Sequence, residues 1–176
     1  MHLKTVYGRL LGLTAASALF LAASSATHAG TATSNLSVTA TVSANCTITT
    51  SPVAFGAYDP IVTNATTELD GTGTVTVTCT NGSAVAVTLD QGANAASGST
   101  DAAPLRQMKD SGTDVLAYSL YQDSGRTTVW GNTVGTSAPD TGNGAAQALT
   151  VYGAVAAGQN VPAANYSDTV VATVTF

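Results

Sequence analysis

The sequence is short of the residues that most chemistry needs. Histidine occurs only at His2 and His28, both inside an N-terminal stretch with the layout of a targeting segment. Beyond it there is no imidazole for acid–base work or metal ligation. Cysteine occurs twice, at Cys46 and Cys79, with no C-x-x-C pair. Two thiols without histidine make neither a zinc site nor a redox dithiol. Lysine and arginine together number five, too few to build a phosphate-tracking surface, which makes nucleic acid and anionic membranes poor partners. No segment shows a helical apolar period of useful length. The apolar run at residues 10–23 is 14 residues long, short of the roughly 20 that cross a bilayer.

That run is the middle of a three-part N-terminus. Lys4 and Arg9 precede it, and the small residues 24–29 follow it. Residues 1–29 therefore read as a secretory signal peptide, with cleavage expected after Ala29. Its removal takes both histidines and leaves Arg106, Lys109 and Arg126 against ten carboxylates, a net charge of −7. The remaining residues suit one domain with a real core. Their abundance of Thr and Val with little Lys and Glu favours strands. An exported chain with an even number of cysteines is expected to oxidise them. A Cys46–Cys79 disulfide would stabilise the fold by roughly 3–4 kcal/mol through loop closure.

The strand pattern starts at residues 31–43, where Leu36, Val38, Ala40 and Val42 alternate with Ser37, Thr39 and Thr41. Extended sequence continues at 46–49. Pro52, Gly56, Asp59 and Pro60 then open a loop, expected to run through residues 61–70. Residues 73–80 are the cleanest strand, with Val75, Val77 and Cys79 on one face. Asn81-Gly82 predicts a hairpin to residues 84–89, which carry Val85, Val87 and Leu89. Further strands are expected at 105–109, 115–122 (Leu116, Tyr118, Leu120), 127–130, 148–155 (Leu149, Val151, Val155) and 166–176, with loops at 91–103 and 131–144. The last strand puts Tyr166, Val170, Ala172, Val174 and Phe176 on one face. Seven or eight short strands separated by turns predict an all-β, immunoglobulin-like antiparallel sandwich.

Candidate sites for chemistry dissolve on inspection. Asp59, Glu68, Asp70, Asp101, Asp110, Asp114, Asp123 and Asp140 fall in turns or strand ends, where carboxylates cap backbone and solubilise. Asp70-Gly71 and Asn143-Gly144 match no EF-hand spacing. Trp130, Tyr118, Tyr121 and Tyr152 could form a sugar-stacking platform, but aromatics in alternating strands more often fill cores or pair across strands. Asn64-Ala65-Thr66 matches a glycosylation sequon without context to support it. No catalytic, cofactor-binding or metal site is expected, and the chain is not read as an enzyme.

The two terminal runs carry the functional reading. A sandwich needs its edges covered, because an open edge templates pairing with another chain. The run before Cys46 could fold into its own sandwich or leave to complete another molecule. Burying Leu36, Val38, Ala40 and Val42 in a neighbour offers several kcal/mol, at roughly 1.5–3 kcal/mol per large side chain. Such a joint repeats head to tail and makes a filament.

Several motifs narrow this choice. They are Asn45-Cys46-Thr47, Phe55-Gly56 with Tyr58-Asp59-Pro60, residues 73–82 (GTVTVTCTNG), residues 116–121 (LAYSLY), residues 126–131 (RTTVWG), residues 149–153 (LTVYG) and residues 166–170 (YSDTV). Together they resemble the spore coat protein U domain family, over nearly all of residues 31–176. That family includes subunits of Csu-type, archaic chaperone–usher pili. The resemblance implies an incomplete immunoglobulin-like β-sandwich at 44–176, completed by a donated strand. It implies a donor-strand extension at 30–43, with Leu36, Val38, Ala40 and Val42 as plugs. The acceptor groove would be edged by Tyr166, Val170, Ala172, Val174 and Phe176 and by the strand of Cys46. The implied partners are other pilus subunits in a homopolymer, a periplasmic chaperone and an outer-membrane usher, with no cofactor. The product would be a cell-surface pilus serving attachment and biofilm formation. A self-complete secreted coat or carbohydrate-binding module is the alternative.

Overall fold

A computed structural model describes residues 28–176. Residues 1–27 of the expected signal segment lie outside the described residues. Residues 41–176 form one compact unit. Its strands are β1 (Cys46–Ser51), β2 (Leu69–Cys79), β3 (Ala84–Leu89), β4 (Arg106–Lys109), β5 (Val115–Tyr121), β6 (Ala138–Thr141), β7 (Ala146–Val155) and β8 (Ala172–Thr175), with one 3-10 turn at Val134–Thr136. They make two sheets, of order β1-β2-β7-β5-β4 and β6-β3-β8. Every strand pair is antiparallel.

Period-2 alternation places the core where the sequence puts it. Val75, Val77 and Cys79 of β2, Val85, Val87 and Leu89 of β3, Leu116, Tyr118 and Leu120 of β5, and Val151 and Val155 of β7 are all buried between the sheets. Trp130 closes one end of this core, its indole N–H donating to the Val87 carbonyl at 2.9 Å. The two cysteines are joined, at the first register pair of β1 and β2.

Five expectations need correction. The runs flanking Asn81-Gly82 do not form a hairpin, because β2 and β3 lie in different sheets. Ser83 N–H donates to the Thr80 carbonyl and closes the turn, with Gly82 at φ 80°. Gly82 N–H then donates to Gly142 O, and Gly142 N–H to Ser83 O. The backbone groups that would start a hairpin ladder are thus taken by the segment after β6, and the chain crosses the sandwich. Next, β2 begins at Leu69 rather than at Gly73, since the glycine-rich start pairs fully with β7. Residues 131–144 contain a strand, β6, at a sheet edge where Pro139 costs no ladder bond. Finally, residues 127–130 form only an isolated bridge, Val129 to Tyr121, and β8 is confined to Ala172–Thr175 of the expected 166–176.

Candidate functional site: a groove between two edge strands

Strand β1 is the outer strand of the larger sheet and β8 the outer strand of the smaller one. Each is paired on one side only, and they lie beside each other across the sandwich. Between them opens a cavity of about 530 Å³. Its floor is core side chains, Val75, Leu89, Tyr118, Leu120 and Val151. One wall is Thr50 to Val53 with Phe55, and the other is the chain from Tyr166 to Val170 with Ala172.

Three of the five expected groove-edge residues, Tyr166, Val170 and Ala172, line this cavity. Val174 packs against the core cluster instead, and Phe176 is 53% exposed. The edge is not one straight strand. Ser167 exchanges two backbone hydrogen bonds with Lys109 on the free side of β4. Further along, the Thr169 carbonyl accepts from Ala93 N–H and the Val171 carbonyl from Asp90 N–H. Residues 167–171 therefore form a strap running from the edge of one sheet to the edge of the other.

Tyr118, Asp168, Asn94 and Asp90 hold this strap through polar contacts that alternation does not reveal. Tyr118 Oη donates to Asp168 Oδ2 at 2.7 Å, and Asp168 Oδ1 accepts from Asn94 N–H and Nδ2. Burial, then the Asp168 hydrogen bond, pushes the Tyr118 hydroxyl far above its ordinary value, so it stays a neutral donor. Asp90 Oδ1 accepts from Val171 N–H at 3.0 Å. Beneath lies Arg106, only 1% exposed. Its guanidinium donates to the carbonyls of Leu89, Asp90 and Trp130 at 2.6–3.0 Å. Burial lowers its pKa, against the fields of Tyr118, Asp90 and Asp168. The only early sign of it was an arginine at a core-facing position of a short strand.

The expected donor residues lie before β1. Residues 28–45 have no regular secondary structure, and Leu36, Val38 and Val42 are 87, 85 and 84% exposed. Ala40 is exposed as well. Three apolar side chains at period 2 in water are costly unless something covers them.

The other candidates resolve into structure. Trp130 and Tyr118 are buried, so they offer no sugar platform. Tyr121 and Tyr152 face each other across β5 and β7 as a cross-strand pair. Asn64, of the sequon, is buried and committed to Asp59 N–H and the Thr67 carbonyl. Asp59, Asp110 and Asp123 cap nearby backbone N–H groups, and Asp70 pairs with Arg126 at 2.9 Å.

The Spore Coat Protein U domain matches residues 32–173. The chain belongs to that family. Over 125 residues it is 50% identical to "Protein U" of Myxococcus xanthus, covering 69% of this chain and 70% of that protein. Among solved structures it is similar to a chain of the CsuC–CsuE chaperone–tip adhesion subunit pre-assembly complex from the archaic chaperone-usher Csu pili of Acinetobacter baumannii. That match has a TM-score of 0.55 at 20% identity, over 77% of this chain and 40% of that chain. This family member thus spans well under half of the pilus-complex chain it matches, and the likeness bears on the fold. It identifies the two sheets as an immunoglobulin-like sandwich.

Proposed function

We propose that this protein is a structural subunit of a chaperone–usher surface pilus, in which residues 30–43 of one copy complete the sandwich of the next. The observation that carries this reading is the open groove between the edge strands β1 and β8. Its natural complement is an extended segment with apolar side chains at every second position. Leu36, Val38, Ala40 and Val42 are such a segment, carried by the same chain and exposed to water. A strand laid along β8 satisfies the unpaired backbone of that edge while its side chains fill the floor.

Each subunit then offers one donor and one groove, and the joints repeat into a homopolymer. Before assembly the groove needs a temporary occupant. The role falls to a periplasmic chaperone, as the likeness to a Csu chaperone–subunit complex supports. An outer-membrane usher would exchange it for the next subunit. Residues 1–29 would direct export and be removed during it, and the product is a surface fibre for attachment and biofilm formation.

The test is thermal unfolding with size analysis of the exported chain, with and without residues 30–42, adding that peptide back. Strand donation requires the truncated form to be unstable or chaperone-dependent and the peptide to rescue it. A truncated form that is a stable monomer indifferent to the peptide overturns the pilus. It would favour a self-complete coat protein, the reading that the family's description supports.

A further inference from the structure

The groove has a built-in end. After β1, Pro52 removes a backbone donor and ends the ladder, and the chain turns inward. Val53 and Phe55 are half-buried while Pro52 and Ala54 stay exposed. Both inward side chains line the 530 Å³ groove, and both also line a second cavity of about 700 Å³ toward Val161 and Pro162. With Met108 and Tyr166, which also line both, they form the partition between the two.

The sheet is shaped to receive them. Gly71 of β2 and Gly153 of β7 are direct register partners. A Cβ at Gly71 would sit 2.8 Å from the Phe55 ring, and one at Gly153 would sit 2.7 Å from it and 2.9 Å from Val53. A Cβ at Gly73 would lie 2.7 Å from Val53. Elsewhere the inner face of β2 and β7 is filled by its own side chains, Val75, Val77, Val151 and Val155. Only at this trough does the sheet withdraw its side chains and take in those of another segment. The outer edge of the Phe55 ring rests on Tyr118, with centroids 6.0 Å apart and planes at 62°.

We propose that Val53 and Phe55 are an internal stop that sets the length of strand the groove accepts. The occupant is the 36–42 segment of a second copy, so this rests on the strand-donation reading. Leu36 to Val42 is seven residues, or about 20 Å of extended chain, and the groove wall from Tyr166 to Ala172, bent where Ser167 ties to Lys109, reaches no further than that. A strand of that length fills the groove and ends against Phe55. A longer one gains nothing, because the second cavity lies behind the partition. Specificity for donor length thus comes from the acceptor.

The test uses the full exported chain and three peptides: residues 36–42, and the same peptide lengthened by Thr-Val-Thr-Val at either end. Wild-type protein should bind all three equally. Phe55→Ala opens the partition and should bind the peptide lengthened toward the second cavity at least tenfold more tightly than the 36–42 peptide. Phe55→Leu, which keeps an apolar stop, should show little preference. Should Phe55→Ala fail to fold by thermal melting, Val53→Ala takes its place with the same expectation. If the 36–42 peptide binds and opening the partition creates no length preference, the stop is refuted and strand donation stands. If neither the 36–42 nor the 30–43 peptide binds wild type, strand donation itself fails.

Discussion

Arg106→Met is the sharpest test of how the groove edge is held. Methionine keeps most of the aliphatic volume and removes the guanidinium. The carbonyls of Leu89, Asp90 and Trp130 then lose donors at 2.6–3.0 Å. A hydrogen bond to a charged group contributes about 1.5–3 kcal/mol, and an orphaned buried acceptor costs a similar amount. Against this, the variant no longer has to desolvate a cation, and the Nη1 nitrogen already lacks a hydrogen-bond partner. The balance is a loss of about 2–4 kcal/mol. In urea that lowers the midpoint by roughly 1–2 M at an ordinary m-value. The effect should also reach the groove, because Asp90, whose carbonyl Arg106 grips, holds Val171 of the strap. Affinity for the 30–43 peptide should therefore drop with stability. A midpoint shift below about 0.3 M with unchanged m would refute the reasoning and make Arg106 a tolerated passenger.

Replacing both cysteines by alanine should destabilise the domain by roughly 3–4 kcal/mol, from the 33-residue separation it closes, read as a urea midpoint; a loss under 1 kcal/mol contradicts this. Asp123 accepts from Thr127 and Thr128 N–H, which hold its carboxyl down to about 2 from 3.8. A depressed carboxylate stabilises the fold above the unfolded pKa and loses that effect as pH falls toward the folded one. The stability difference between wild type and Asp123→Ala should therefore shrink between pH 3.8 and about 2. Tyr118 has the opposite sign. Its raised pKa gives stability present below the unfolded value of about 10 and lost as pH rises beyond it. Tyr118→Phe should cost about 1–2 kcal/mol at neutral pH and weaken the alkaline unfolding, followed by tyrosinate absorbance.

Much of the fold is legible because a strand's side-chain period is two. Val75, Val77 and Cys79, or Val85, Val87 and Leu89, cannot face water in a register that buries their neighbours. Alternation reports which face is buried but not which strand lies alongside. That is why the turn at Asn81-Gly82 reads as a hairpin in sequence and is a crossing in space: the deciding partner, Gly142, is far away in the chain. Strand β6 was hidden for a related reason. Its four residues, Ala138 to Thr141, contain a proline and only one buried side chain, a pattern that looks like loop until β3 supplies its pairing.

The groove shows the same division between what is local and what is not. That Tyr166, Val170 and Ala172 share a face follows from alternation in residues 166–176, but that they line a cavity does not. The polar frame does not, because Arg106, Tyr118, Asp168 and Asn94 come from separate segments and have meaning only once the sandwich has formed. Glycine gives the plainest case. In a linear reading Gly71 belongs to a turn, Gly73 opens a strand and Gly153 is a weak point inside one, since it forgoes a packing side chain. In the folded sheet Gly71 and Gly153 stand opposite each other, and their missing side chains make the trough that seats Phe55. A strand weakened at one place is what allows the segment after β1 to turn inward and bound the groove. The defect in the pattern is thus where the sequence departs from an ordinary sandwich and lets another segment wall the groove.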